Sequence, residues 1–393
     1  MKLLYMLLLV WVPLFIQAQP RPEITAAIAQ ISTDSLLKTL VQLSGQQPVQ
    51  INGQTDTIRS RQFDQPGNEK AFQYLKQRLL QSGLVIDSQV FSSTGKNLFG
   101  MIEGSHPNEL VIVGAHYDAV GSVFSPGADD NGSGVAAVLE CARICQQLPM
   151  RPTVMFALWD EEETGSIGSA AYVRQRLMPS GNTFLGYLNL DMIGWDGNND
   201  GIAQVHTRTI GQSNRWAGVA LDVNTNYSIG LQLQPILQGY GATDVASFWD
   251  NQYTAIGIVE DYDNDRSPHQ HSPNDTAGSL NLPYLRKTTQ LTLGTLLTFS
   301  LAAPAAVQEL TPSGWNPARP NPFTTTLTLQ GPADSGHPVR VLITDAMGRT
   351  QVDRTFLSQT AVQLDTRTWP AGWYQVVLFQ DDRRFVQKVI RIQ

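Results

Sequence analysis

Four short apolar runs, at residues 110–115, 153–159, 184–190 and 255–259, are separated by stretches with helical apolar spacing, notably 134–147 and 168–178. Apolar runs of this length read as strands buried on both faces. Strands that alternate with helices pair in parallel, because the helix supplies the crossover. The pattern predicts an α/β fold with a mixed, largely parallel sheet flanked by helices. Open sheets of this kind place their sites at the carboxyl ends of the strands. His116, the run Asp160-Glu161-Glu162-Glu163, and Asp191 stand just past the ends of three of these runs.

The flanks extend the pattern. Residues 24–31 and 35–43 have helical spacing, with Thr33 or Asp34 as the cap of the second helix. Residues 46–65 are polar and read as loop, and 68–82 as a helix stopped by Gly83. Residues 84–91 and 97–103 read as strands, and 285–301 as a closing apolar helix. A chain of 393 residues exceeds one ordinary core. The predicted division is a signal peptide at 1–18, a catalytic-type domain at 19–303, a linker at 304–315 and a small β domain at 316–393.

The signal peptide rests on Met1-Lys2, an apolar run through Ile16, and Ala18 before a polar stretch. That run is shorter than the ~20 residues of a membrane span, and Pro13 interrupts it. No membrane span is expected in the mature protein. A net charge of −7 leaves no basic stripe for nucleic acid. Cys141 and Cys145 lie four apart in a predicted helix, a poor geometry for a disulfide.

The chemistry concentrates in five short patterns. His116 follows a buried strand, and Asp118 can accept its other ring N–H. Pro126-Gly-Ala-Asp129-Asp130-Asn-Gly-Ser-Gly134 sets a carboxylate pair between glycines, which permit tight turns and an aimed Asp. An Asp in this place could also be a plain helix cap. In Asp160-Glu-Glu162-Glu163 one carboxylate can bind metal while its neighbour takes a proton, or the run is a solvated acidic loop. Leu188-Asn-Leu-Asp191 ends a strand, and His271-Ser-Pro-Asn-Asp275-Thr follows a loop. Two imidazoles and several carboxylates meet the needs of two neighbouring zinc ions with one carboxylate to spare.

Over residues 40–300 the chain resembles the secreted di-zinc aminopeptidases of metallopeptidase family 28, with all five motifs in that family's order. The resemblance implies two Zn²⁺ ions. His116 and Asp191 would hold one, Glu163 and His271 the other, and Asp130 would bridge them. Glu162 would be the general base, and a cis peptide would follow Asp130. In Gly239-Tyr240-Gly-Ala242, Tyr240 would donate to the developing oxyanion. The disulfide that flanks this Tyr in the best-known relatives is replaced by Gln238 and Ala242. His269 has no counterpart in the family. Peptides with a free N-terminus are the implied substrates. The alternatives are a glutaminyl cyclase on the same fold with a single zinc, another zinc exopeptidase such as a carboxypeptidase, or a non-catalytic receptor-like relative. The full ligand set argues against the first and the last.

Two further signals stand apart. Asp196-Gly-Asn198-Asn-Asp200-Gly201 matches the first half of a Ca²⁺ loop, but Thr207 stands where its bidentate acid belongs; an ordinary turn is the competing reading. Beyond the Pro-rich stretch 312–322 the grammar becomes all-β, with strand-like segments at 324–330, 339–344, 362–364, 373–379 and 385–392. Asn316-Pro-Ala-Arg-Pro-Asn-Pro-Phe323, Asp345-Ala-Met-Gly-Arg349 and Trp369-Pro-Ala-Gly-Trp-Tyr374 resemble the C-terminal sorting domain of type IX secretion. That resemblance implies a β-sandwich, passage through the periplasm, the export machinery as partner, and a secreted or cell-surface destination.

Overall fold

The apolar runs of the centre become strands of one eight-stranded sheet. The computed structural model describes residues 20–121, 124–302, 316–330, 338–345, 349–356, 361–380 and 383–392. The expected signal peptide and linker lie outside these residues. The chain divides into two compact units, Met1–Ala302 and Ala303–Gln393.

The first unit opens with α1 (Pro22–Ala29), α2 (Thr33–Leu43), β1 (Val49–Ile51), β2 (Gln54–Asp56), α3 (Pro66–Gln81), β3 (Val85–Val90), β4 (Lys96–Ile102) and β5 (His106–His116). It continues with α4 (Gly134–Cys145), β6 (Pro152–Trp159), α5 (Ile167–Tyr172), β7 (Thr183–Leu190) and β8 (Ile202–His206). Then come α6 (Ser213–Asn226), β9 (Gln232–Ile236), α7 (Val245–Trp249), β10 (Ala255–Glu260) and α8 (Leu282–Ser300). The large sheet runs β3-β4-β6-β5-β7-β10-β8-β9. Its four central strands, β6, β5, β7 and β10, pair in parallel. Antiparallel pairing attaches β4 and β8 to either side.

Both faces of the centre are buried, so side chains alternate between two cores. Val111, Val113 and Ala115 join Val154, Phe156 and Leu158 against the face covered by α1, α2, α4, α6 and α8. Leu110, Ile112, Met155, Ala157 and Trp159 pack on the other side with Tyr172, Phe248 and Trp249. Trp159 is the last residue of β6. Its ring meets those of Phe99, Tyr172, Tyr187 and Phe248. Its Nε1 donates to the Tyr187 hydroxyl at 2.7 Å. Each such ring pair contributes about 0.5–1.5 kcal/mol beyond its burial. The end of β6, where the acidic run begins, is therefore tightly held.

The structure departs from the sequence reading in several local features. Ser32, not Thr33 or Asp34, caps α2, its Oγ accepting the Ser35 N–H at 3.2 Å. Residues 46–65 are not all loop, because Asn52 and Gly53 turn β1 back into β2 with φ of 50° and 81°. Asn-Gly is a strong hairpin signal because both positions need positive φ. Four elements between Asp191 and Ala255 were not foreseen: β8, α6, β9 and α7. The two strands are short and carry Gln204, His206, Gln232 and Gln234, so no apolar run marks them. Cys141 and Cys145 are free and buried.

The second unit contains β11 (Asn316–Arg319), β12 (Thr326–Gln330), β13 (Val339–Asp345), β14 (Thr350–Phe356), β15 (Ala361–Asp365), β16 (Gly372–Gln380) and β17 (Arg383–Arg391). They form two antiparallel sheets, β11-β12-β15 and β14-β13-β16-β17. Phe323, Leu327 and Leu329 share one core with Val341, Ile343, Tyr374 and Val376, which makes a small sandwich. The Tyr374 hydroxyl donates to the Pro370 carbonyl at 2.6 Å and ties strand to turn.

Candidate metal centre

Each central parallel strand except β10 delivers a side chain directly to one point. His116 is the last residue of β5, the acidic run follows β6, and Asp191 follows β7. Asp130 lies in the turn between β5 and α4, and His271 comes from the loop after β10.

Asp130 is the shared corner. Its Oδ1 lies 3.3 Å from His116 Nε2, and its Oδ2 lies 3.1 Å from His271 Nε2. Asp191 Oδ1 is 3.6 Å from His116 Nε2, and Glu163 Oε2 is 3.0 Å from His271 Nε2. Two groups of three potential ligands result: His116, Asp130 and Asp191; and Asp130, Glu163 and His271. Within each group the ligand atoms lie within 4.8 Å of one another. Glu162 belongs to neither group, and its Oε2 stands 3.8 Å from His116 Nε2.

The turn that aims Asp130 depends on its glycines and on distant partners. Gly127 has φ of 59°, and a Cβ there would come within 2.5 Å of the Asp130 carbonyl oxygen. The Asp130–Asn131 peptide is cis. The Asp275 carboxylate accepts the Asp129 and Asp130 N–H groups at 2.7 and 3.1 Å. Asn131, not an Asp, accepts the Gly134 N–H at the start of α4. Asp129 turns away from the cluster, its Oδ1 accepting the Gly194 N–H at 3.0 Å. Arg61 is fully buried and donates to the carbonyls of Leu43, Tyr117, Pro126 and Gly127, which pins the approach to the turn. Burial pulls its guanidinium down to about 10, still charged at neutral pH. Arg61 was not singled out from sequence, and Asp275 was quoted in the His271 motif without a role. A lone Arg in a polar stretch carries no local signal.

The four acids after β6 have three destinations. Asp160 accepts from Asn68 Nδ2, the Lys96 N–H and the Tyr117 hydroxyl. Glu161, at φ of 56°, points to Ser92 and Thr94, whose hydroxyls donate to it. Glu162 and Glu163 remain at the cluster. Asp118 holds them there: its Oδ1 and Oδ2 accept their backbone N–H groups at 3.1 and 3.2 Å. The same carboxylate lies 3.4 Å from His116 Nδ1, and the Asp118 carbonyl lies 3.2 Å from that nitrogen. His116 Nε2 is thereby directed to the cluster. Asp118 touches ring and backbone, so it positions the site.

Crowding perturbs every member. Burial pushes the Glu162 carboxyl well above its usual range, and burial together with the Asp130 charge pushes Glu163 up to about 7. Asp191 is raised, chiefly by burial. Burial alone would raise Asp130, but its hydrogen bonds with His116 and His271 outweigh that and hold it below the carboxylate range. Burial would depress His116, but the surrounding carboxylates, Glu162 first, hold it well above its usual range. Hydrogen bonding with Asp130 and Glu163 carries His271 up to about 10. Groups perturbed this far and packed into one cleft mark a functional site.

The cluster opens into a cavity of about 430 Å³ that Tyr240 also lines. The Tyr240 hydroxyl donates to Asp263, and its ring packs against His206 and Tyr262. His269 packs edge-on against Trp195 and is absent from the cavity wall. Asp196, Asn198 and Asp200 form a turn that Asn281 and Asp265 also hold. Their side-chain oxygens accept the N–H groups of Gly201, Asp200 and Ile202 respectively.

Residues 97–296 match the model of peptidase family M28, just over half of the chain. The chain belongs to peptidase family M28. Residues 319–393 match the secretion system C-terminal sorting domain. This M28 peptidase is 38% identical to leupeptin-inactivating enzyme 1 of Streptomyces exfoliatus over 140 residues, which are 34% of this chain and 32% of that protein. It is 42% identical to an aminopeptidase of Pseudomonas aeruginosa over 117 residues, 29% of this chain and 21% of that one. The matches thus span a third or less of these relatives' own length. Its fold is similar to that of a zinc aminopeptidase from Bacillus subtilis, with a TM-score of 0.61 and 16% identity over 69% of this chain and 96% of that one. At that identity the likeness speaks for the fold of the M28 unit alone.

Proposed function

We propose that this M28 peptidase is an exported aminopeptidase that uses two zinc ions to remove N-terminal residues from peptides. One observation carries the reading: a single carboxylate, Asp130, is shared by two His-carboxylate groups while Glu162 stays unassigned beside them. Imidazole nitrogens and carboxylate oxygens are the donors zinc prefers, and three per group leave a position for substrate. Zinc bound there would supply Lewis acidity, polarising the scissile carbonyl and acidifying the attacking water.

The chain's own residues do the rest. Glu162 accepts the water's proton and later delivers it to the leaving amine; its raised proton affinity suits both tasks. Tyr240 donates its phenolic hydrogen to the developing oxyanion, exchanging Asp263 for substrate. The carboxylates of the cavity receive the substrate's ammonium. Asp118 holds His116, Glu162 and Glu163 in register. The Asp196 turn lies outside the cavity wall and takes no part in this chemistry. Export runs from the N-terminal signal through the periplasm to the type IX machinery, which reads the C-terminal sandwich. The product is secreted or held at the cell surface.

The test combines metal analysis with a substrate panel. Two zinc ions per chain and cleavage of aminoacyl arylamides, with N-acetylated versions left intact, are expected. Turnover of blocked peptides in preference to free ones would overturn the aminopeptidase reading. One zinc per chain with pyroglutamyl product from a Gln-initiated peptide would replace it with glutaminyl cyclisation.

Zinc loading should depend steeply on pH. In the metal-free protein His271 titrates at about 10 and Glu163 at about 7, and zinc must displace those protons. Below each value the group holds its proton, so apparent affinity falls as pH falls. Between about 7 and 10 the His271 proton opposes binding, and below about 7 the Glu163 proton adds to it. Titration calorimetry in buffers of different ionisation enthalpy reads the protons released; an affinity flat from pH 6 to 9 would contradict this prediction.

A further inference from the structure

We propose that Arg266 makes the cavity selective for peptides whose N-terminal residue is acidic. This rests on the aminopeptidase reading, which places the first residue's amine and carbonyl at the metal cluster and its side chain in the adjoining cavity. Beside the expected ligands and Glu162, the wall includes Met192, Val259, Tyr240, Tyr262, Gln270 and Arg266. Arg266 is the only lysine or arginine among the described residues that line it.

The guanidinium is held in place before any ligand arrives. It lies over the Tyr262 ring, 4.2 Å from the centroid. Its Nε donates to Gln270 Oε1 at 2.8 Å, and Nη2 donates to the same oxygen. Gln270 Nε2 in turn donates to Asp130 Oδ2 at 2.7 Å. The cation is therefore tethered through one side chain to the shared carboxylate of the cluster. A stacked and anchored Arg loses little further freedom when it binds an anion. Its Nη1 donates to no described residue, which leaves that amino group for a carboxylate.

The surroundings favour an acidic side chain over a cationic one. Met192, Val259 and Tyr262 offer apolar surface for methylene groups, and Arg266 sits with them at the wall. The nearby Asp263 accepts from Gln204 Nε2, a bond it keeps when the Tyr240 hydroxyl leaves it for the substrate. The remaining carboxylates of the wall are the expected ligands and base, which the dications and the substrate's own amine would take up. A neutral side chain would fill the cavity without using the cation, and a lysine would meet it directly.

Glutamyl, aspartyl, leucyl and lysyl arylamides measured side by side on the zinc-loaded full chain test the proposal. The expected order of kcat/KM is acidic above leucyl above lysyl. Arg266→Met should lower the glutamyl-to-leucyl ratio about 10- to 100-fold, the scale of one charge-assisted hydrogen bond, and Arg266→Lys should restore part of it. The ratio cancels any loss common to both substrates through the Gln270 contact. Binding of free L-glutamate and L-leucine to the same proteins, by calorimetry, reads the cavity without turnover. A glutamyl-to-leucyl ratio unchanged in Arg266→Met, by rate and by binding, would overturn the proposal while leaving the aminopeptidase reading intact. No arylamide cleavage, with an Arg266-dependent preference for glutamate in binding, would overturn that reading and retain the selectivity.

Discussion

Glu162→Gln should lower kcat on an aminoacyl arylamide by about 10²- to 10⁴-fold, the range for loss of a positioned general base. Zinc content should stay at two per chain. Glu162 is in neither ligand group, and Gln keeps the shape that Ser166 Oγ meets at 3.3 Å and leaves the backbone bonds to Asp118 untouched. The two readouts must separate. Metal analysis by mass spectrometry and kcat from the same preparation decide it. A variant with more than about a tenth of normal turnover would show that another group moves the proton. Loss of zinc along with turnover would make Glu162 a ligand, not the base.

Asp130→Asn should empty both metal positions at once. Its two oxygens face the two imidazoles separately, so removing its charge weakens both groups. The expected fall in affinity at each site exceeds about 100-fold, the upper end seen for partners that merely orient a ligand. Zinc after dialysis should drop below one per chain and turnover should vanish with it. By contrast His271→Ala touches one group only, so it should leave about one zinc per chain. Equal, independent occupancy in both variants would refute the shared corner. The far-ultraviolet circular dichroism of Asp130→Asn should match the parent. The backbone bonds that Asp275 accepts from residues 129 and 130 do not need the Asp130 side chain.

The legibility of this fold tracks how local its causes are. The four central strands were visible because burial on both faces demands continuous apolar sequence. The strands β8 and β9 were not: Gln232 lies on the edge strand β9, and Gln204, buried on β8, is satisfied by Asp261, Asp263 and His206. The hairpin at Asn52-Gly53 was legible in principle and was missed because its strands are three residues long and the second, Gln54–Asp56, is polar. In the sandwich, β14 escaped notice for a similar reason: Thr350–Phe356 has only Val352 and Phe356 as apolar residues and lies at a sheet edge.

The candidate site divides in the same way. Spacing, glycine placement and residue chemistry in the sequence by itself determined which residue types converge, in what order, and that a metal centre with a spare carboxylate was their natural use. Only the tertiary structure decided which contacts turn each acid toward the cluster or away from it. Asp129 and Asp130 are neighbours of equal chemistry, yet Gly194 claims one and two histidines claim the other. Glu161 differs from Glu162 only by a backbone at φ of 56° and by the hydroxyls of Ser92 and Thr94, which lie 69 and 67 residues away. Arg61, Asp275 and Gln270 act through partners just as remote. The physical reason is that a side chain's chemistry is set by its residue type, whereas its direction, burial and proton affinity are set by neighbours that only folding supplies.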